Sequence, residues 1–351
     1  MNMPLNIAEQ AIVQHNLTDE IICQGLLNPR GIGLSASGDL LLVEAGAGEL
    51  TPPFSGRLTL RDRQTGVIKK TWLSGFRSFN MQSRMLRDEI MGLADLAPTL
   101  EGASSWLVSV TDYIDGSKII ETDGTENRLL FQTKGNVNSL CYHPIRKSWY
   151  CIKPDTNEVV EFTRDKPERV VCVLPLLDSG QEAVPVNIVY QPSTGHLLIS
   201  LFSGELGRGK QYQGIDFAKQ QGAIISVAPQ NGDLNFVVTG LTLPTALCLD
   251  EAENLFITEL CDDFLQPLPA NQTPEQSMHG GFKRFSGRLL KIDIKKPKVL
   301  VLSTGLDTPS NLLVCEKNIY ICEGMGLPGR LIPKNSEITQ LQGQLRCLYF
   351  S

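Results

Sequence analysis

Apolar runs of five or six residues recur along the chain, separated by breaks rich in Gly, Pro, Asn and Asp, and the runs fall into groups of four. In the first group, a run opening at Asn28-Pro29-Arg30-Gly31-Ile32 turns at Ser37-Gly38-Asp39 into Leu40-Leu41-Leu42-Val43-Glu44. A loop then leads to Gly56-Arg57-Leu58-Thr59-Leu60, and residues 68–73 complete the unit. The pattern restarts at Gly92, Asn138, Pro185, Pro244 and Pro309, a period of roughly 40 to 65 residues. Short apolar runs bounded by turn residues are strands, and four strands per repeat at this period make a propeller blade. The sequence therefore predicts an all-β fold: one six-bladed β-propeller domain over 1–351, with four-stranded blades beginning near 28, 91, 137, 185, 243 and 308.

Third strands are expected to open at Gly56, Gly116, Asn157, Gly222, Gly287 and Gly329, since Gly or Asn suits a turn outside ordinary φ/ψ space. A leader, 1–19, precedes segment 20–27, whose Ile21-Ile22-Cys23-Gln24-Gly25-Leu26 resembles fourth strands such as 299–306. Docked on the last blade, this N-terminal strand closes the ring and leaves no bare edge. The tail 344–351 is then an additional strand or a packed terminus.

First-to-second and third-to-fourth connections are short throughout. The long ones follow second strands (45–55, 202–221, 260–286) or precede first strands (76–90, 175–184), with a short helix expected within 81–89. In a propeller both kinds emerge on one face, so elaboration gathers at one mouth of the channel, where function is expected.

A net charge of −6 without any Lys/Arg-rich run argues against a nucleic-acid partner. No apolar stretch approaches the ~20 residues of a membrane helix, and the N-terminal residues lack a signal-peptide pattern, so a cytoplasmic protein is expected. The 9 cysteines show no CxxC spacing and lie mostly in apolar strands, as buried free thiols do; a Cys315–Cys322 disulfide is the alternative.

Glu44, Glu259 and Glu323 hold one repeat position in blades one, five and six. They could act as acid/base groups or gather around Ca²⁺. In the same blades the third strand opens Gly-Arg-Leu (Arg57, Arg288, Arg330), so an in-blade Glu–Arg pair is available each time; blade three reverses it as Lys153 with Glu158. Arg30 starts a first strand without an in-register acid, so an anionic ligand group or Glu44 must satisfy it. Asn138, Asn187, Thr245 and Asn311 project toward the channel, as ligand contacts or as groups that bond one another. Lys153, Tyr113, Tyr212 and His279 are rim candidates for substrate binding. With only 4 His and no spaced pair, no transition-metal site and no cofactor is expected. Gly324-Met325-Gly326-Leu327-Pro328-Gly329 matches GxGxxG, but Pro328 denies it the helix a dinucleotide phosphate needs.

Gly25-Leu26-Leu27-Asn28-Pro29-Arg30-Gly31-Ile32, Leu42-Val43-Glu44-Ala45-Gly46, Thr242-Leu243-Pro244-Thr245 and Leu255-Phe256-Ile257-Thr258-Glu259-Leu260 resemble the ScyD/ScyE-type branch of the NHL-like propellers, named from scytonemin gene clusters of cyanobacteria. The resemblance spans nearly the whole chain and implies the same propeller in natural-product metabolism. Wider kin by fold include gluconolactonases, strictosidine synthase, virginiamycin B lyase and cylindrocyclophane-type alkylating enzymes. The Glu-Gly-Pro start of the gluconolactonase metal site is missing here, which disfavours a lactonase.

These readings converge on an enzyme acting on a small organic substrate at the long-loop face, by acid/base or anion assistance without metal or redox cofactor. Arg30, Glu44, Glu259 and Glu323 are its candidate catalytic residues. The alternatives are a lactonase-like hydrolase, or a non-catalytic module that binds a protein partner through Phe264, Leu265, Leu268, Phe282 and Phe285.

Overall fold

The computed structural model describes residues 3–10, 12–14, 17–48, 54–80, 90–100, 104–112, 116–177, 180–203, 219–262, 282–326 and 342–350. Six antiparallel blades of four strands stand around one axis, two of them with a fifth strand added. Their innermost strands, Pro29–Leu34, Leu93–Pro98, Ser139–His143, Pro185–Gln191, Pro244–Leu249 and Asn311–Cys315, touch in ring order, and the last touches the first. Among the described residues there is no α-helix, and no helix long and apolar enough to cross a membrane. All 9 cysteines are free, Cys315 and Cys322 included.

The second strands are apolar at nearly every position because both their faces are covered. In Leu40–Glu44, Leu40 and Leu42 pack toward blade six, whereas Leu41 and Val43 pack toward blade two. Alternate side chains of a strand point to opposite faces, so a sheet buried on both sides loses the usual polar alternation. One such core fills each junction between blades, and a fully buried Leu there contributes about 1.5–3 kcal/mol.

Both ends of the chain meet in blade six, with a different assignment of strands from the expected one. Its order is Asn311–Cys315, Asn318–Glu323, Gly343–Tyr349, Thr18–Leu26. The third strand thus opens at Gly343 rather than Gly329, and the tail is that strand itself. Gly343-Gln344-Leu345 and Gly329-Arg330-Leu331 both carry the Gly-X-Leu spacing of Gly56-Arg57-Leu58, so spacing alone cannot choose between them. Residues 327–341 lie outside the described residues. Nor is 1–19 a mere leader: Leu5–Asn6 adds parallel to the outer strand of blade four, Ile12–Gln14 adds parallel to that of blade five, and the closing strand begins at Thr18.

The glycines that open third strands mostly answer a packing demand. Gly116 and Asn157 do adopt positive φ, 85° and 52°. Gly222, Gly287 and Gly343 do not; there a Cβ would fall 2.4, 2.6 and 2.5 Å from the Cδ of Pro244, Pro309 and Pro29. Each of these prolines leads into the next blade and follows a residue in the left-handed region: Leu243 (φ 49°), Thr308 (φ 44°) and Asn28 (φ 53°). The chain therefore crosses between these blades through a left-handed residue and a proline whose ring lies on the glycine of the blade it has left.

Two outcomes follow. Gly343→Ala, with backbone as well as the Pro29 ring in its way, should lose about 1–3 kcal/mol in denaturant unfolding. The Pro29→Ala, Gly343→Ala double variant should be less destabilised than the sum of the two changes, and strict additivity would show that this contact is not the cause. Deleting 1–17 should leave a monodisperse protein with a modestly lower Tm, whereas deleting 1–26 bares the Gly343–Tyr349 edge and should cause aggregation. Size-exclusion chromatography and melting decide it; identical behaviour of the two truncations refutes the assignment of the closing strand.

Candidate functional site

Glu44, Glu259 and Glu323 end second strands and are 0, 2 and 0% exposed. The arginine matched by the repeat meets the first two. Arg57 grips both oxygens of Glu44 at 2.8 Å with Arg61 adding a bond of 3.0 Å, and Arg288 holds Glu259. The third pairing departs from expectation because the third strand does: Arg330 lies outside the described residues, and Arg346 (Nε to Oε1, 2.6 Å) with Gln344 holds Glu323. Burial pushes the Glu323 carboxyl above its ordinary pKa, with Arg346 and Gln344 pulling it back.

Two of these carboxylates also bind the chain arriving from the previous blade. Glu44 accepts the Leu27 N–H at 2.9 Å and Glu259 the Thr242 N–H at 2.6 Å, each one residue before the left-handed position. A buried N–H in a crossover has no ladder partner, and the glutamate supplies one. In blade three the expected Lys153–Glu158 pair is only a register pair: the Lys153 ammonium turns to Thr133 Oγ1 at 2.5 Å and Glu168 at 3.0 Å. Asn157 takes the glutamate's part there, accepting the Val184 N–H at 2.9 Å and donating to Glu182 at 3.0 Å.

Around the axis, the buried Asn187, Thr245 and Asn311 bond other blades. Asn187 donates to Ser139 Oγ (3.2 Å) and accepts the Leu247 N–H (3.1 Å), Thr245 Oγ1 donates to the Pro309 carbonyl (2.8 Å), and Asn311 donates to the Arg30 carbonyl (2.8 Å). The second Asn311 proton goes to Asp95 Oδ1 at 3.2 Å. Asp95 is the residue that sequence reasoning missed. Ser139 Oγ donates to its Oδ2 at 2.5 Å and the Leu140 N–H at 3.1 Å, so blades three and six converge on a carboxylate of blade two. Blade one presses on it too: a Cβ on Gly31 would lie 3.1 Å from Asp95 Oδ1. The available signal was a lone acid in the apolar run Leu93-Ala94-Asp95-Leu96-Ala97.

Asp95 is 5% exposed, and no cation among the described residues bonds it. Burial raises its pKa to about 6, against the donors Ser139, Leu96, Leu140 and Asn311. A carboxyl that is easier to protonate folded than unfolded adds stability in acid and loses it as pH rises from about 4 to 6.

At the long-loop mouth, Arg30 and Asn138 remain half-buried, and Arg30 Nη2 donates to Asn138 Oδ1 at 3.2 Å, reaching from blade one to blade three. On the same face Val184, Phe202, Leu243, Leu260, Cys261 and Phe282 form a buried apolar cluster spanning blades four and five, on which the partly exposed Val186 and Met325 pack. Phe282, expected in an exposed patch, is instead buried edge-on to Phe202; Phe285 is exposed. The buried Arg284–Asp307 pair ties the loop to the crossover into blade six. Tyr113, Tyr212, His279, Phe264, Leu265, Leu268, His15 and the 81–89 helix lie outside the described residues. His143 and His196 bond the Gly195 carbonyl and Ser226 Oγ. Among the described residues no three Asp, Glu, His or Cys side chains gather as a metal site.

Arg346→Ala should test the buried pair. It leaves Glu323 without its counter-charge, at a cost of about 3–5 kcal/mol near neutral pH. Since the Glu323 pKa is already raised, the deficit should shrink as pH falls and the carboxyl becomes neutral; chemical unfolding at pH 5 and 7.5 reads this. A deficit independent of pH would mean that lost packing, rather than charge, is responsible.

No protein-family model and no curated protein matches the chain. Solved structures do. A Bacteroides thetaiotaomicron protein of unknown function superposes with a TM-score of 0.57 at 11% identity, over 99% of this chain and 75% of its own. A luciferin-regenerating enzyme gives 0.53 at 11% identity, over 95% and 96%. A Thermus thermophilus protein described as a putative oxidoreductase (glucose dehydrogenase) gives 0.52 at 13% identity, over 95% and 100%. At such identities the likeness is one of fold, and by fold the chain is a six-bladed β-propeller.

Proposed function

We propose that the protein binds a small organic anion at the long-loop mouth of the channel, with Arg30 as its anchor, and acts on it as an enzyme. The carrying observation is a division of labour among the polar residues. Glu44, Glu259 and Glu323 are buried against arginines, and Asn187, Thr245 and Asn311 are spent between blades, whereas Arg30 and Asn138 keep open surface. A half-buried guanidinium, with the partly exposed Val186 and Met325 on the same face, suits an anion with a hydrophobic body.

In this reading Arg30 stabilises negative charge that the substrate carries or develops, while Glu44 and Glu259 fix crossovers and Glu323 stays with Arg346 and Gln344 rather than exchange protons. That same-fold proteins include a luciferin-regenerating enzyme supports an enzymatic role, and the ScyD/ScyE resemblance supports natural-product metabolism, with bond formation or cleavage as the reaction class. One observation favours the other reading, a protein-binding module: the Arg30–Asn138 and Asp95–Asn311 bonds join blades that are not adjacent and so reach across the channel.

The test is a thermal-shift and calorimetric screen of aryl and alkyl carboxylates, with the corresponding neutral amides as controls. Carboxylates should bind and amides should not. Arg30→Lys should weaken binding by losing the planar two-point contact, and Arg30→Ala by about 1.5–3 kcal/mol, with unligated melting unchanged. Equal binding by all three proteins would assign Arg30 to the scaffold, and a screen without hits would favour the module.

A further inference from the structure

We propose that Asp95 and Arg30 form a coupled charge pair, a buried anion beneath the cation of the mouth, so that a proton on Asp95 and an anion at Arg30 bind cooperatively. The anion half rests on the reading of Arg30 given above. The coupling itself does not.

Two short routes join the residues. On the backbone side, the Asn311 amide gives one proton to the Arg30 carbonyl (2.8 Å) and the other to Asp95 Oδ1 (3.2 Å), and Gly31, next in the chain after Arg30, lies against that carboxylate with no room for a Cβ. On the guanidinium side, Arg30 Nη2 bonds Asn138, and the following residue, Ser139, donates to Asp95 Oδ2. The groups bonded to Asp95 are all donors in this arrangement. Ser139 Oγ already accepts from Asn187 Nδ2 (3.2 Å) and the Ile188 N–H (3.4 Å), so a proton added at Oδ2 must displace one of these bonds.

The site is therefore built for a carboxylate, yet it is enclosed and no cation among the described residues bonds it. In such a place one unit of charge nearby is felt strongly, because little water screens it. Removing the positive charge of Arg30, or neutralising it with a bound anion, must make the ionised Asp95 costlier and raise its affinity for a proton. By reciprocity, the protonated form must bind anions better.

Other titratable groups on the strands packed around Asp95 and its neighbours are Glu44, Cys141, Tyr142, His143, Cys315, Tyr320, Cys322 and Glu323. Burial raises Glu323 as well, but Arg346 and Gln344 hold it, and an aspartate carboxyl signal reads Asp95 apart from it. Burial lifts the Cys141 thiol to about 12 and the Cys322 thiol well above its ordinary value. His143, at the far end of its strand, is held below its ordinary pKa by burial and bonded to the Gly195 carbonyl.

The experiment is a carbon-13 NMR titration of the aspartate carboxyls in the full-length protein, with Asp95 assigned by Asp95→Asn or, if that variant does not fold, by the perturbation from Ser139→Ala. The Asp95 midpoint should lie near pH 6 and rise by about half a unit or more in Arg30→Gln, with no change in Lys69→Gln, which removes an equal charge from the outer strand of blade one. A midpoint below about 4.5, or equal shifts in both variants, overturns the coupling. Phenylacetate, ionised throughout, should bind about 2.5-fold or more tightly at pH 5.5 than at 7.5, and this difference should vanish in Arg30→Gln. Binding that does not depend on pH overturns the cooperative half. No binding at either pH refutes the mouth as an anion site and leaves the NMR result to decide the coupling alone.

Discussion

Everything in this ring depends on how the chain passes from one blade to the next. At the entries to blades one, five and six a left-handed residue precedes a proline, and the proline ring rests on a glycine of the blade just left. Such a turn takes a backbone N–H out of the sheet ladder while keeping it partly buried. At the entries to blades one and five a glutamate accepts that N–H, and an arginine balances the glutamate. A buried donor without a partner costs about 1–3 kcal/mol, and an uncompensated buried charge costs more, so neither the Glu nor the Arg can be dropped alone.

This arrangement decides what the channel has left for chemistry. Of the acids that look catalytic by position, Glu44 and Glu259 are committed to crossovers and Glu323 to Arg346, and the Asn187 and Asn311 amides are committed to other blades. Among the described residues, the half-buried Arg30 guanidinium shares the mouth's face with the partly exposed Val186 and Met325, on a scaffold held by those committed groups.

The propeller was legible in the sequence because a strand buried on both faces must be apolar throughout, and turn residues punctuate it. Leu40–Glu44 announces itself in this way. The Arg57 and Arg288 pairs were legible because they follow the repeat. What escaped was set by contacts between residues distant in the chain. Gly329 and Gly343 look alike until Pro29 is placed over one of them, and the Lys153 ammonium prefers Glu168 to its own register partner. Asp95 looked like an isolated acid because its donors come from blades three and six, far along the chain. A lone charge inside an apolar run was the readable trace, and a repeat-based reading passes over residues that do not repeat.

The shared sixth blade has a consequence for how the protein reaches its native state. Its fourth strand comes from one end of the chain and its third from the other, and contacts such as Asp19 with Arg346 join residues 327 positions apart, whereas Glu44 and Arg57 are 13 apart. Closing the longer loop costs ~3 kcal/mol more chain entropy than closing the shorter one. During synthesis, 18–26 must wait, an unpaired apolar strand, until 343–349 has left the ribosome. The blades between can form from local hairpins in the meantime, so ring closure is the slow, late event and that waiting strand is where assembly errors would begin.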